Sequence, residues 1–232
     1  MADDEKTIAF VLYPGLTLLD LAGPLQVLSV LAHSGLGYRA VVVGERAGAV
    51  DTDTPLGIAP SHTFAEVPHP FAIVVPGGAA PTLRALGDER LLTYLREASA
   101  TAEWTTSVCT GSLLLGAAGL LDGKRATTHW MYREILRGFG AVPVAERWVE
   151  DTPVITAAGV AAGIDMALYL VGRLAGDEVA RNIQFTIEYD PEPPLGGLDW
   201  DLAPQVASHL GEGLKYGLAD NPDMLARLLP YA

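Results

Sequence analysis

The stretch SVCTGSLLLGAAGLL, residues 107–121, contains the only cysteine of the chain, Cys109. Residues with β propensity precede this cysteine, and small residues and leucines follow it, a pattern that predicts a strand over 103–108 and a helix over 110–120. Cys109 therefore falls where a strand turns into a helix. Its side chain is expected beside free backbone N–H groups of the first helical turn, which favour a thiolate. Gly111 keeps the turn small, so that a substrate can approach the sulfur.

Strand-like and helix-like segments alternate along the rest of the chain. Strands are predicted at 7–13, 38–43 and 71–75, strand pairs at 50–60 and 148–156, and helices at 16–32, 81–102 (one or two), 128–139, 161–174 and 177–189. This alternation predicts an α/β sandwich with a mostly parallel sheet. Sites in such sheets form at the carboxyl ends of strands, here Cys109 and Pro76-Gly77-Gly78.

The segment PEPPLGG, residues 191–197, interrupts the alternation. Proline and glycine at this density end regular structure. We predict one α/β domain over 1–194 and a helical C-terminal extension over 195–232 that packs on the same domain, with one or two helical segments between 201 and 229.

The composition argues against several classes of function. The chain has 28 Asp and Glu against 15 Lys and Arg, a formal net charge of -13, which argues against an extended nucleic-acid surface. A single cysteine allows neither an intramolecular disulfide nor a cysteine-cluster metal site. The start MADDEK lacks the basic region of a secretory signal, and the apolar run 154–171 holds Asp165, which favours a strand and a buried helix over a membrane span. We expect a cytoplasmic protein with no membrane partner.

Asp20 is a candidate acid because it lies among apolar residues in LTLLDLAGP, residues 16–24. A carboxylate on a helix that packs on the sheet is costly unless it is paired. It either caps the turn before Pro24 or has a raised pKa and exchanges protons with a substrate on Cys109. Asp165 is interpreted as a structural carboxylate that caps backbone or links two elements.

Two backbone amides and one histidine complete the candidates. Thr110 N–H would lie beside the sulfur, and Gly78 N–H would join it in an anion hole if the two strands are neighbours. Otherwise the glycines form an ordinary turn. His129 is a possible base for Cys109, although a histidine at a helix start is more often a packing or interface residue. The histidines show no metal-ligand spacing.

Four stretches of the chain together resemble the ThiJ/PfpI superfamily: LLDLAGPLQVL at 18–28, VVPGG at 74–78, TSVCTGSLLLGAAGLLDGKRATTHW at 106–130 and AAGIDMAL at 161–168. The resemblance covers about residues 8–194, and within the superfamily it favours the isocyanide hydratase branch. It implies a flavodoxin-like three-layer α/β/α sandwich whose cysteine stands on a strand-to-helix elbow.

The resemblance also implies a chemistry. Cys109 matches the nucleophile and Asp20 its acidic partner, while Thr110 and Gly78 match the residues whose amides face the sulfur. The implied hydro-lyase reaction adds water to an isocyanide, R–N≡C, through a thioimidate on Cys109 and gives an N-substituted formamide. It needs no metal or organic cofactor, and a homodimer is expected.

Two other readings stay open. Protease-like relatives carry histidine directly after the cysteine, where this chain has Thr110. This difference argues against a protease or glyoxalase activity. A glyoxalase or deglycase activity and a non-catalytic redox- or ligand-sensing role are the alternatives. Similar stretches occur in sensor domains of transcription regulators, but the residues after Pro194 are acidic and poor in Lys and Arg, which argues against a DNA-binding region.

Overall fold

The computed structural model describes residues 5–203 and 209–232. Its strands are β1 (Lys6–Val11), β2 (Tyr38–Gly44), β3 (Val50–Asp51), β4 (Gly57–Ile58), β5 (His62–Thr63), β6 (Ala72–Val75), β7 (Trp104–Ser107), β8 (Arg125–Ala126), β9 (Val142–Pro143), β10 (Trp148–Asp151) and β11 (Val154–Ala157). Its α-helices are α1 (Leu18–His33), α2 (Ala80–Ala85), α3 (Glu89–Thr101), α4 (Gly111–Ala117), α5 (Ala162–Ala175), α6 (Asp177–Thr186), α7 (Leu210–Gly217) and α8 (Pro222–Leu228). Short 3₁₀ helices lie at Phe64–Glu66, Trp130–Phe139, Trp200–Leu202 and Leu229–Tyr231.

Seven strands form one central sheet in the order β10-β11-β7-β6-β1-β2-β5. Neighbouring strands in this sheet are parallel, except that β10 and β11 are antiparallel. Every residue of β6 and β11 is buried, as expected for strands that are covered on both faces. The predicted α/β sandwich with a mostly parallel sheet is therefore confirmed.

Helices pack on the sheet in two groups. Helices α1, α5 and α6 contact one another, with α1 against β2 and α5 against β11. Helix α4 contacts α2 and α3, and both α3 and α4 pack against β6. The core contains aliphatic side chains from the sheet and from both helix groups, such as Ile73, Leu28 and Leu95, which are fully buried.

The predicted elements are present with shifted boundaries. The two strand pairs are found as the antiparallel pairs β3–β4 and β10–β11. The predicted helical region 81–102 is two helices, because the Asp88 side chain accepts hydrogen bonds from Arg90 N and Leu91 N and starts a new helix there. The helix predicted at 128–139 is of the 3₁₀ type and begins at Trp130.

The C-terminal helices contact the rest of the chain at two places. A Cβ on Gly217 of α7 would lie 2.8 Å from Leu83 of α2, and one on Gly138 would lie 2.6 Å from Leu228 of α8. The domain boundary at residue 194 stays a prediction. Across residues 5–203 and 209–232, no helix combines the length and the apolar composition needed to cross a membrane.

Candidate active site

The ends of two adjacent strands bring the predicted site residues together. Strand β6 pairs in parallel with β7, with Val75 opposite Ser107. The chain leaves β6 through Pro76, Gly77 and Gly78, and it leaves β7 through Val108 and Cys109. Parallel strands end at the same edge of a sheet, so both segments face one site.

Cys109 occupies a strained turn that the surrounding structure holds in place. Its φ is +56°, a region that residues other than glycine rarely adopt. Its N–H faces Ala157 O at 3.2 Å and Ala158 O at 3.0 Å. Its carbonyl oxygen accepts hydrogen bonds from Thr128 Oγ1 at 2.7 Å and from Ser112 Oγ at 3.2 Å. Such strain persists only where several contacts impose it, and it is concentrated at functional sites.

Asp20 lies in the first turn of α1 and is completely buried. Its Oδ2 accepts a hydrogen bond from Gly77 N at 2.9 Å. Its Oδ1 is buried and has no hydrogen-bond partner among the described residues. The carboxyl group interacts with the Cys109 thiol closely enough to affect its pKa. The sequence alone therefore identified a pair that the fold brings together, with one carboxylate oxygen left available.

Burial governs the protonation of this pair. Loss of solvent raises the pKa of Asp20 to about 7, although the hydrogen bond from Gly77 N and the nearby Cys109 thiol oppose the increase. Burial also raises the pKa of the Cys109 thiol to about 12, and the nearby Asp20 carboxylate adds to this effect. Of the two alternatives left open for Asp20, the structure favours the raised pKa. The Thr110 amide at the helix start lowers the pKa of Cys109, as expected, but desolvation and the Asp20 carboxylate outweigh this effect.

Two backbone N–H groups favour the charged form of the sulfur. The amides of Thr110 and Val160 both lower the pKa of Cys109, against the larger effect of burial. The Thr110 amide was expected from the sequence, whereas Val160 was missed. Val160 follows β11, the strand next to β7 in the sheet, and has a φ of +30°. Its position after Gly159, at the end of a buried strand, was the available signal.

A chain of hydrogen-bonded, buried hydroxyl groups holds the Thr110 side chain in place. Thr110 Oγ1 accepts hydrogen bonds from Gly78 N at 3.0 Å and Ala79 N at 3.2 Å. It lies 2.8 Å from Thr82 Oγ1, which lies 2.8 Å from Tyr13 Oη. Because the two amides occupy both lone pairs of Thr110, its proton must go to Thr82. Thr82 then donates to Tyr13, and Tyr13 donates to Pro76 O at 3.1 Å.

The strands before Gly78 and Thr110 are neighbours, as the prediction for Gly78 required. The Gly78 N–H, however, donates to the Thr110 hydroxyl. Its role in an anion hole stays a prediction. The neighbouring position 77 has no room for a side chain, because a Cβ on Gly77 would lie 2.6 Å from Thr110 N and 2.8 Å from Asp20 Oδ2. A Cβ on Gly111 would collide with Val75 O and lie 2.8 Å from Pro76 O. These glycines allow the two strand ends to approach each other.

The remaining candidates, His129 and Asp165, form contacts that stabilise the fold. His129 caps the 3₁₀ helix, with its Nδ1 accepting a hydrogen bond from Met131 N at 3.4 Å, and burial lowers its pKa. Asp165 on α5 pairs with Arg147, just before β10, and links two elements as interpreted. In residues 5–203 and 209–232, no group of three or more His, Cys, Asp or Glu side chains is placed to hold a metal ion.

An open cavity of about 950 Å³ is lined by residues that contact residues 108–111, which we call the cysteine turn. Its lining includes Thr128, Ala158 and Val160, which all interact with Cys109. Its side carries Trp130 and residues of a segment that we call the outer wall, residues 195–203. The cavity therefore offers room for a substrate against the residues that hold Cys109 in place.

Comparisons with known proteins show the family to which this chain belongs. The family model of the DJ-1/PfpI family matches residues 6–173. The chain is 43% identical over 201 residues to an isonitrile hydratase from Pseudomonas putida, covering 86% of this chain and 85% of that protein. A crystal structure of a ThiJ/PfpI family protein from Pseudomonas syringae superposes with a TM-score of 0.86 at 37% identity, covering 93% of this chain and 90% of the other.

Regulatory proteins are also similar to this chain. The transcriptional regulator CdhR of Pseudomonas aeruginosa is 30% identical over 175 residues, which are 74% of this chain but only 51% of the regulator. The resemblance to the superfamily that the sequence motifs indicated is confirmed. With a family match over most of its length, the chain belongs to the DJ-1/PfpI family.

Proposed function

We propose that this protein is a hydro-lyase that adds water to isocyanides, with Cys109 as nucleophile and Asp20 as acid and base. The observation that carries the proposal is the buried Asp20 carboxyl group beside the cysteine, with Oδ1 unpartnered among the described residues. The similarity to an isonitrile hydratase over most of both chains supports the choice of substrate.

The first step adds the thiol across the terminal carbon of R–N≡C. Asp20 takes the proton from Sγ, the sulfur bonds to carbon, and Asp20 returns the proton to the same carbon. The product is a thioimidate, R–N=CH–S–Cys109. A carboxyl group whose pKa is near 7 can both accept and donate this proton at neutral pH, which is the requirement for a general acid and base.

The second step releases the product. Water adds to the thioimidate carbon with proton transfer to nitrogen, and the adduct is R–NH–CH(OH)–S–Cys109. Collapse of this adduct forms the formamide R–NH–CHO and expels the sulfur, which regains a proton through Asp20. The amides of Thr110 and Val160 stabilise the departing thiolate, because both already face the sulfur.

The protonation of the pair gives a pH dependence. The reactive form holds one proton between Asp20 and Cys109, and the two groups titrate as a coupled pair. With the first pKa at about 7 and the second at about 12, this form dominates between those values. We expect kcat/KM to rise as the pH increases through about 7 and then to level off.

The decisive test uses an aryl isocyanide and follows the absorbance of the formamide. We expect saturable turnover by the wild type and a loss of at least about a thousandfold in Cys109→Ala and Asp20→Ala, since each removes a reacting group. The matched control is Asp190→Asn, which changes an exposed carboxylate and should keep full activity. Formamide production by Cys109→Ala at the wild-type rate would refute the mechanism.

The wild type and Cys109→Ala also test the two alternative functions. Lactate from methylglyoxal, formed by the wild type but not by Cys109→Ala, would indicate a glyoxalase-type enzyme. Oxidation of Cys109 to a sulfinate by mild peroxide, without turnover of any substrate, would indicate a sensor. The expected homodimer is part of the proposal and is tested by light scattering during gel filtration.

A further inference from the structure

The cavity lined by Thr128, Ala158 and Val160 contains one arginine that differs from the others. Arg133 is half-buried, whereas the other arginines among the described residues are exposed. It lines the cavity and forms no ion pair with any described residue. A partly desolvated guanidinium without a counter-ion is unfavourable, and a bound anion would relieve that cost.

The other charged groups of the cavity leave this cation unbalanced. Arg147 pairs with Asp165, and Glu146 pairs with Arg125 at 3.2 Å. Burial lowers the pKa of His129, which favours its neutral form. The lining therefore has one unmatched positive charge among the described residues, in a chain whose formal net charge is -13.

Apolar surface surrounds the cation. Trp130 lies three residues before Arg133 in a 3₁₀ helix, where side chains at that spacing share a face. Trp130 meets Trp200 edge to face, with ring centroids 6.1 Å apart. Leu198 lines the same cavity and is 74% exposed. This side of the cavity fits a flat or bulky apolar group.

We propose that the substrate of this site is an isocyanide whose apolar R group carries an anionic substituent, such as a carboxylate, that binds Arg133. The proposal rests on the proposed function, because it concerns the substrate of that same cysteine. The apolar part of the R group packs against the two tryptophans, the isocyanide carbon faces Cys109, and the anion pairs with the guanidinium. Arg133 acts as a specificity-determining residue and takes no part in bond making.

The test compares 4-isocyanobenzoate with its methyl ester in three proteins. They are the wild type, Arg133→Met, and Arg137→Met, which removes an exposed arginine of the same helix that pairs with Glu134. We expect the wild type to prefer the carboxylate by ten- to a hundredfold in kcat/KM, the range of a charge-assisted hydrogen bond. Arg133→Met should lose this preference and Arg137→Met should keep it. The ratio between proteins cancels the intrinsic reactivity of the two isocyanides.

A binding experiment makes the result independent of turnover. The ligands are 4-formamidobenzoate and its methyl ester, followed by quenching of tryptophan fluorescence, with Arg133→Lys as a charge-keeping variant in case Arg133→Met is unstable. Carboxylate binding that needs the charge at position 133, without turnover of either isocyanide, would refute the proposed function but support the anion site. Equal turnover and equal binding of acid and ester in the wild type would overturn the anion site and leave the hydratase proposal intact.

Discussion

The cysteine turn and the outer wall meet at one cavity but are built in opposite ways. Cys109 is 5% exposed, and Asp20 and Thr110 are completely buried. Hydrogen bonds that hold the turn join residues far apart in sequence, as between Gly77 and Asp20 or between Gly78 and Thr110. Bonds in the outer wall stay local, as between Asp199 and Asp201, while Leu195 of that wall is 96% exposed.

This difference is what we expect if the cysteine turn carries out the proposed reaction and the outer wall selects the substrate. Groups that exchange protons must keep their positions and their low-dielectric surroundings, and long-range contacts in a packed core provide both. Groups that select a substrate need only offer a surface of the right shape and charge. We therefore expect substitutions in the turn to affect folding and kcat, and substitutions in the outer wall to affect KM.

The largest effect on stability is expected at Gly111. In Gly111→Ala the added Cβ would collide with the backbone oxygens of Val75 and Pro76, which no rotamer change can avoid. We expect a loss of about 3 to 5 kcal/mol in the free energy of unfolding, measured in urea. Gly213→Ala is the control, because its Cβ would meet nothing within 4 Å, and it should be neutral or slightly stabilising. Equal stability of the two variants would show that the turn is not tightly packed.

The next effect is a pH-dependent one at Asp20. Its pKa is raised from 3.8 to about 7 by folding, so the folded state binds more protons than the unfolded state between those values. Stability therefore falls as the pH rises through this window. Asp20→Asn removes the dependence and should gain up to about 4 kcal/mol above pH 7, and much less at pH 4.

Urea unfolding at pH 4 and pH 8 measures this gain. The control Asp190→Asn changes an exposed carboxylate and should stay within about 0.5 kcal/mol of the wild type at both pH values. A gain for Asp20→Asn that did not depend on pH would contradict the raised pKa.

A smaller effect is expected in the hydroxyl chain. Thr82→Val keeps the shape of the side chain but leaves the Thr110 proton without an acceptor and removes a donor to Tyr13. We expect a loss of about 1 to 3 kcal/mol in stability, together with a lower kcat because Thr110 positions the amide beside the sulfur. Thr82→Ser restores the hydroxyl and should recover most of both. Failure of serine to recover kcat would show that the methyl group matters more than the hydrogen bonds.

The smallest effect on stability is expected in the outer wall. Trp200→Ala removes a ring that is 57% exposed and contacts Trp130. We expect a change in unfolding free energy below about 1 kcal/mol. For an aryl isocyanide the KM should rise several-fold while kcat stays close to the wild-type value. A fall in kcat with an unchanged KM would place Trp200 in the chemistry and remove the distinction between the two regions.

Much of the fold could be predicted because its signals are local. The alternation of buried strands and helices and the turn formers between them are properties of short segments, and they identified the sheet and both strand pairs. The type of the helix after His129 could not be predicted, since 3₁₀ and α-helical segments share similar patterns over ten residues. The division of 81–102 was left open, because the hydrogen bonds by which Asp88 starts the second helix could not be read from the hydrophobic pattern.

The sequence by itself determined the α/β class, the position of Cys109 at the end of a strand, and Asp20 as a carboxylate in an apolar helix. Only the tertiary structure decided that burial raises both pKa values, that Val160 N–H faces the sulfur, and that Gly78 N–H is directed to Thr110. The physical reason is that backbone patterns depend on neighbours in sequence. Desolvation and hydrogen-bond partners depend on segments that only the packed sheet brings together.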